Sequence, residues 1–218
     1  MEISPASINS KSLYKLMSGI VVPRPIAWVS TISENKVPNL APFSFFTVAS
    51  PDPPILCFSV GAGLFDGELK KKDTLRNIEQ TKEFVIHIIS TSMATNIDIT
   101  SKPYPEEINE FDEANVEMES CKVVNVPKVK NAPIQMECTL ENIIKVGSNN
   151  MIFGKVVNFN IKDDFYLHEH KINHLKLDPI ARIANKYASI SEYFNVNTKV
   201  KKNVISPDAN GRRIIETN

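Results

Sequence analysis

Apolar residues in this chain come in short runs set off by proline and polar turns, with few long helical stripes. Residues 26–32 (IAWVSTI), 55–60 (ILCFSV) and 84–90 (FVIHIIS) are rich in β-branched and aromatic side chains, which suit a pleated, half-buried surface, and each predicts a strand. Over 134–144 (IQMECTLENII) the pattern alternates, with Met136, Cys138 and Leu140 on the face opposite Gln135, Glu137, Thr139 and Glu141. Residues 151–161 (MIFGKVVNFNI) predict another long strand. The turn Ser-Glu-Asn-Lys that follows residue 32 leads into a strand carrying Asn39, Leu40, Ala41, Pro42, Phe43, Ser44, Phe45 and Phe46. The helical signal is clearest over 73–81, where Asp73 stands in position to cap and Leu75 and Ile78 share a face. Shorter helices are predicted over 10–18 and 94–100. Residues 108–114 read as an acidic surface helix, and 179–187 as a short turn-like segment.

Short strands separated by turns predict a mainly β fold, a β-barrel or sandwich with a few peripheral helices. Fourteen prolines against seven glycines agree, because proline is confined to strand ends, edges and turns. The 218 residues suit one domain over 1–194, followed by a polar tail over 195–218. Lys+Arg and Asp+Glu number 25 each, and a net charge of zero gives no electrostatic reason to expect a nucleic acid or an anionic membrane as partner. Cys57, Cys121 and Cys138 lack the spacing of a zinc site or a disulfide framework; Cys57 reads as a small buried hydrophobe, and nothing near Cys121 would activate its thiol. The N-terminal stretch MEISPASINSKSLYKLM lacks the layout of a signal peptide, and no apolar run approaches the roughly 18 residues of a membrane span, so a cytoplasmic location is expected.

Phosphate-loop and dinucleotide glycine motifs are absent, as are the H-E-x-x-H and G-x-S-x-G patterns. His168, His170 and His174 cluster in LHEHKINH; a polar, solvated hairpin or loop is the preferred reading over a metal site. Two stretches carry chemistry. In 22–46 the small hydroxyls Ser30, Thr31 and Ser44 accompany short side chains that would let a phosphate or planar heterocycle approach. A plain β-hairpin with an aromatic core edge explains the same residues equally well. In KKKDTLRN (70–77) three lysines precede Asp73 and Thr74 at a helix start, a suitable anion site, although a capped helix with a solvated basic approach gives the same pattern.

The ordered set RPIAWVSTISENKVPNLAPFSFF, SPDPPILCFSV, KKDTLRNIEQTKEFVIHII, EEINEFDEANV, APIQMECTLENII, IFGKVVNFNI and PIARIANKYA resembles the flavin reductase-like family, which includes flavoredoxins and the reductase components of two-component monooxygenases. The likeness covers most of residues 18–187. It implies the FMN-binding split barrel, a homodimer with flavin near the subunit interface, and FMN as cofactor with FAD as the alternative. It also implies NADH or NADPH as transient co-substrate, with hydride passing to flavin N5, and a monooxygenase or redox protein as electron acceptor. Carried over by position, Arg24, Pro25, Ile26 and Ala27 run beside the isoalloxazine ring, and Ser30 and Thr31 serve the ribityl-phosphate. Asn39, Ala41, Pro42, Phe43, Ser44 and Phe45 line the flavin, Lys72, Asp73 and Thr74 meet the phosphate, and Arg182 closes the site. No side-chain acid or base is required, so no catalytic residue is nominated. One stretch departs from the pattern: Gly147-Ser148-Asn149-Asn150 lacks the Asp-His pair that relatives using a nicotinamide carry there. An electron carrier reduced by a protein partner, or a flavin-binding module without catalysis, therefore stands as the alternative.

Overall fold

A computed structural model describes residues 1–65, 68–190 and 192–194. The predicted tail over 195–218 lies outside the described residues. The chain opens with helix α1 (Ser10–Ile20). Seven strands then build one sheet: β1 (Ala27–Ile32), β2 (Pro38–Phe43), β3 (Phe46–Pro51), β4 (Pro54–Val60), β5 (Glu83–Ile88), β6 (Ile134–Val146) and β7 (Asn149–Ile161). Their order across the sheet is β2-β1-β5-β6-β7-β4-β3, and all neighbours run antiparallel.

The two edge strands, β2 and β3, are consecutive in the chain and separated only by Ser44 and Phe45. Three Cα steps reach about 11 Å, whereas the edges of a flat sheet of this width would stand about 29 Å apart at 4.8 Å per strand. The sheet therefore curls until its edges meet, giving a barrel left open along one seam. The run 39–46, expected as one strand, breaks at Ser44–Phe45 because the chain there leaves one edge and joins the other.

Strand alternation sorts the core into two layers. Ala27, Val29, Phe58, Phe84, Ile86, Met136, Cys138 and Ile152 fill the barrel, and helix α2 (Asp73–Thr81) adds Leu75 and Ile78 to that cluster. On the outer face Trp28 and Leu40 pack with Ile97 of α3 (Ala94–Thr100) and Phe111 of α4 (Glu110–Glu113). The Trp28 indole N–H donates to Thr100 Oγ1 at 2.9 Å. At Gly154 in β7 the Phe84 ring lies so close that an added Cβ would stand 2.2 Å from its Cζ, so the strand has no space for a side chain there.

Two local expectations change. Residues 108–114 were expected on the surface, yet Glu110 and Phe111 of α4 are buried, because the second core layer takes the ring and draws the carboxylate in with it. Residues 179–187 form no lone turn: strands Ile180–Ile183 and Lys186–Ser189 pair with each other and with Arg24–Pro25 in a small separate sheet. His168 and His170 sit in an exposed hairpin, Tyr166–Leu167 paired with Lys171–Ile172, and His174 begins the short helix His174–Leu177. Cys57 and Cys138 are buried, and burial near Glu137 pushes the Cys121 thiol up to about 12, which keeps it unreactive. Among the described residues no helix is long and apolar enough to cross a membrane.

Candidate functional site

The N-terminus of α2 opens into a cleft of about 790 Å³. Its floor is Asn39, Ala41 and Pro42 of β2; one wall is Gly63 with residues 70–74, and the other is residues 100–107 with Glu110. The N-cap is Lys72, whose backbone is extended and whose side chain makes no capping bond. Asp73 was expected to cap. It is instead the first helical residue, and its carboxylate turns to Arg76. No side chain therefore covers the first backbone N–H groups, and the positive end of the helix dipole faces the cleft. The Lys72 ammonium stands 5.5 Å from the centre of the Phe43 ring, and loss of water there lowers its pKa. A Cβ at Gly63 would come within 3.3 Å of Lys72 Cγ, so the missing side chain leaves the lysine its place at the mouth.

Behind the cleft floor runs a buried polar chain that the sequence did not disclose. Glu110 Oε1 accepts from Asn39 Nδ2 at 2.7 Å, and Oε2 accepts from the Leu40 amide at 3.1 Å. Asn39 Oδ1 in turn accepts from the Thr74 hydroxyl at 2.8 Å and from the Thr31 hydroxyl at 3.2 Å. Asn77 Nδ2 donates to Thr31 Oγ1 at 3.0 Å, while Asn77 Oδ1 has no partner. Burial drives the Glu110 pKa up to about 7; hydrogen bonds from Leu40 and Asn39 oppose the rise, and the charge on Asp73 adds to it. Only the apolar Phe111 beside it hinted that Glu110 would be drawn inward.

The cleft thus gathers Asn39, Ala41, Pro42, Lys72, Asp73 and Thr74 from the sequence-predicted set. The Thr74 hydroxyl has its proton turned away, to Asn39. Thr31 lies within the buried chain, and Ser30 donates to the Pro127 carbonyl at 2.6 Å, so neither hydroxyl is directed at a ligand. Ile26 belongs to the outer core layer, Ala27 and Phe43 belong to the barrel core, and Pro25 is exposed. Arg24 ties the corner where the edges meet: it donates to the carbonyls of Ser18 and Ala184 (3.0 Å to the latter) and to Ser44 Oγ at 3.4 Å, with its guanidinium 5.8 Å from the Phe45 ring. Arg182 pairs across from Arg24 and stacks on Tyr187 at 4.3 Å. Arg24, Ser44, Phe45 and Arg182 therefore form a second group, at the seam end of β2.

The profile of the family described as flavin reductase like domain matches residues 17–175. An uncharacterized protein of Aquifex aeolicus is 39% identical over 86% of this chain and 94% of its own. Among solved structures, nitrilotriacetate monooxygenase component B from Bacillus cereus superposes with a TM-score of 0.85 at 33% identity, covering 90% of this chain and 98% of that one. The flavoredoxin of Desulfovibrio vulgaris (Miyazaki F) shares the fold, with a TM-score of 0.73 at 17% identity over 91% of this chain and 98% of its own.

Proposed function

The chain belongs to the flavin reductase-like family and is a flavin-binding oxidoreductase; from that premise we propose that it binds FMN along β2 and reduces it with NADH or NADPH, for delivery to a monooxygenase or another redox protein. The observation that carries this is the uncapped N-terminus of α2, opening beside Lys72 onto the cleft floor of β2. The donor set suits a flavin phosphate: backbone N–H groups that no side chain caps, with the Lys72 ammonium beside them. When bound, the flavin supplies the hydride chemistry at N5, and the protein supplies placement and electrostatics.

In this reading Lys72 and the first amides of α2 hold the phosphate. Asn39, Ala41 and Pro42 form the bed for the ribityl chain and the ring edge. Arg24 orders the Ser44–Phe45 corner against which the ring ends, and Arg182 closes that end. Ser30 and Thr31 act by holding the floor rather than by their hydroxyls. A second copy completes the ring end: α1 carries Tyr14, Met17 and Ile20 exposed at 59%, 53% and 68%, Val21 just past its end is exposed at 62%, and its one buried residue is Ser18. An apolar helical stripe facing water suits a homodimer contact.

The electron-carrier reading is favoured by one feature. Asn149 Nδ2 donates to Ser59 Oγ at 2.9 Å, so the stretch 147–150 offers neither an acid nor a histidine to a nicotinamide. Anaerobic spectra of the flavin-loaded protein separate the two. Bleaching within seconds of adding NADH or NADPH is the expected result; reduction by dithionite alone assigns the carrier role.

A further inference from the structure

Glu110, a buried carboxylate at the edge of the cleft, is joined to the Thr74 hydroxyl through the Asn39 amide, and this bears on ligand binding. We propose that Glu110 is a positioning residue for the flavin's phosphate end: through Asn39 it sets whether the Thr74 hydroxyl donates inward to the protein or outward to the anion, so that binding the phosphate draws a proton onto Glu110. This rests on the reading that the cleft takes a flavin phosphate.

The logic is one of donors and acceptors. An ionised Glu110 only accepts, so Asn39 must present its NH2 to it. Asn39 Oδ1 then faces Thr74 and Thr31 and takes both hydroxyl protons. Thr74 Oγ1 is left with lone pairs toward the cleft, the wrong polarity for a phosphate. A protonated Glu110 donates to Asn39 Oδ1 instead, which requires the amide to turn over. Asn39 Nδ2 then donates to the Thr74 and Thr31 oxygens, and the Thr74 proton is released to the anion. The far end of the chain can follow: Asn77 Oδ1 has no partner, so a turn of that amide gives the Thr31 proton an acceptor. No hydrogen bond is lost, and one to the ligand is gained.

Among the surrounding charges, Asp73 raises the Glu110 pKa. From α2, Asp73 faces Glu110 and is held by Arg76, which also binds Glu106 at 2.9 Å. Lys70, Lys71, Lys72 and Lys102, with Tyr104 and Glu107, line the same cleft, and a bound phosphate offsets these cations. Asp112 and Glu113 lie on Glu110's own helix, and α3 contributes only the exposed Asp98. A phosphate dianion arriving beside Asp73 adds negative charge and so favours the neutral acid. Burial already pushes the carboxyl up to about 7 before any ligand arrives.

Calorimetric titration of the full chain with FMN, in buffers of different ionisation enthalpy at about pH 7.5, counts the protons; the phosphate itself, with its second pKa near 6, is already a dianion there. We expect FMN binding to take up a large part of one proton, riboflavin binding to take up none, and wild-type affinity for FMN to fall by up to about tenfold per pH unit above 7. Glu110→Gln, whose amide donates permanently to Asn39, should take up no proton and bind FMN with an affinity flat in pH. Uptake that is absent in the wild type, or that persists in Glu110→Gln, overturns the proposal. Should Glu110→Gln not fold, Thr74→Val replaces it: with no hydroxyl proton to release to the phosphate, FMN should bind without proton uptake, and uptake that persists overturns the proposal. Binding of neither flavin removes the flavin reading itself; FMN binding without uptake removes only the role of Glu110.

Discussion

Glu137 and His87 show how this protein buries titratable groups that have no part in the cleft. Neither side chain contacts solvent. Burial alone would raise the Glu137 pKa, but amide donors from Lys122, Val123 and Val124 and the Asn158 side chain outweigh it and hold the carboxyl below its usual range. A lowered carboxylate pKa stabilises the fold above the unfolded value near 4.3, and that stability is lost as pH falls through the folded value. Glu137→Leu should cost about 3 kcal/mol or more at neutral pH, since it leaves three amides without an acceptor; urea unfolding measures it. His87 is the opposite case. Its Nδ1 bonds the Trp28 carbonyl at 2.7 Å, Nε2 accepts from the Val129 amide at 2.9 Å, and burial lowers the pKa to about 4. The ring is therefore neutral, with its proton on Nδ1. Between about pH 6.5 and 4 the unfolded chain binds the proton and the fold does not, so stability falls by about 1.4 kcal/mol per pH unit on acidification. Nitrogen NMR should find His87 uncharged at about pH 5; a protonated ring there contradicts the assignment. Alternation in the sequence separated the two faces of 134–144, but it could not show that the polar face is also buried, because that depends on residues 122–124 folding over Glu137.

At the scale of elements, α2 and α3 were legible with their observed bounds, because turn residues and helical spacing are local signals. The break between β2 and β3 was not. Phe43-Ser44-Phe45-Phe46 reads as one apolar run, and only closure of the barrel parts it. The hairpin within 180–189 was missed for a similar reason: its partner, Arg24–Pro25, lies far away in sequence. The β7–β5 contact carries its own prediction. Gly154→Ala pushes a Cβ into the Phe84 ring and should destabilise the protein by about 1–3 kcal/mol. Trimming the ring in the same chain, Phe84→Leu, should return part of that loss, as seen in the urea midpoint. Equal and additive losses would show that the two sites do not meet.

For the molecule as a whole, the sequence already indicated a mainly β barrel, and two of its singled-out runs, 22–46 and 70–77, each contribute residues to one cleft. It did not show that the predicted set divides between the cleft at α2 and the seam at Arg24, nor that Ser30, Thr31 and Thr74 turn their hydroxyls into the protein. The outward stripe of α1 predicts a dimer: sedimentation should give twice the chain mass, and Met17→Glu with Ile20→Asp should yield a monomer with weakened flavin binding. The central claim, a flavin phosphate at the α2 N-terminus, is tested most directly by flavin-fluorescence titration of the wild type and Lys72→Ala with FMN and with riboflavin. The account predicts saturable quenching by the wild type and a loss of FMN affinity of about ten- to a hundredfold in Lys72→Ala, the equivalent of one charge-assisted bond, with riboflavin unchanged. No quenching of FMN, or FMN affinity untouched by the substitution, would contradict it.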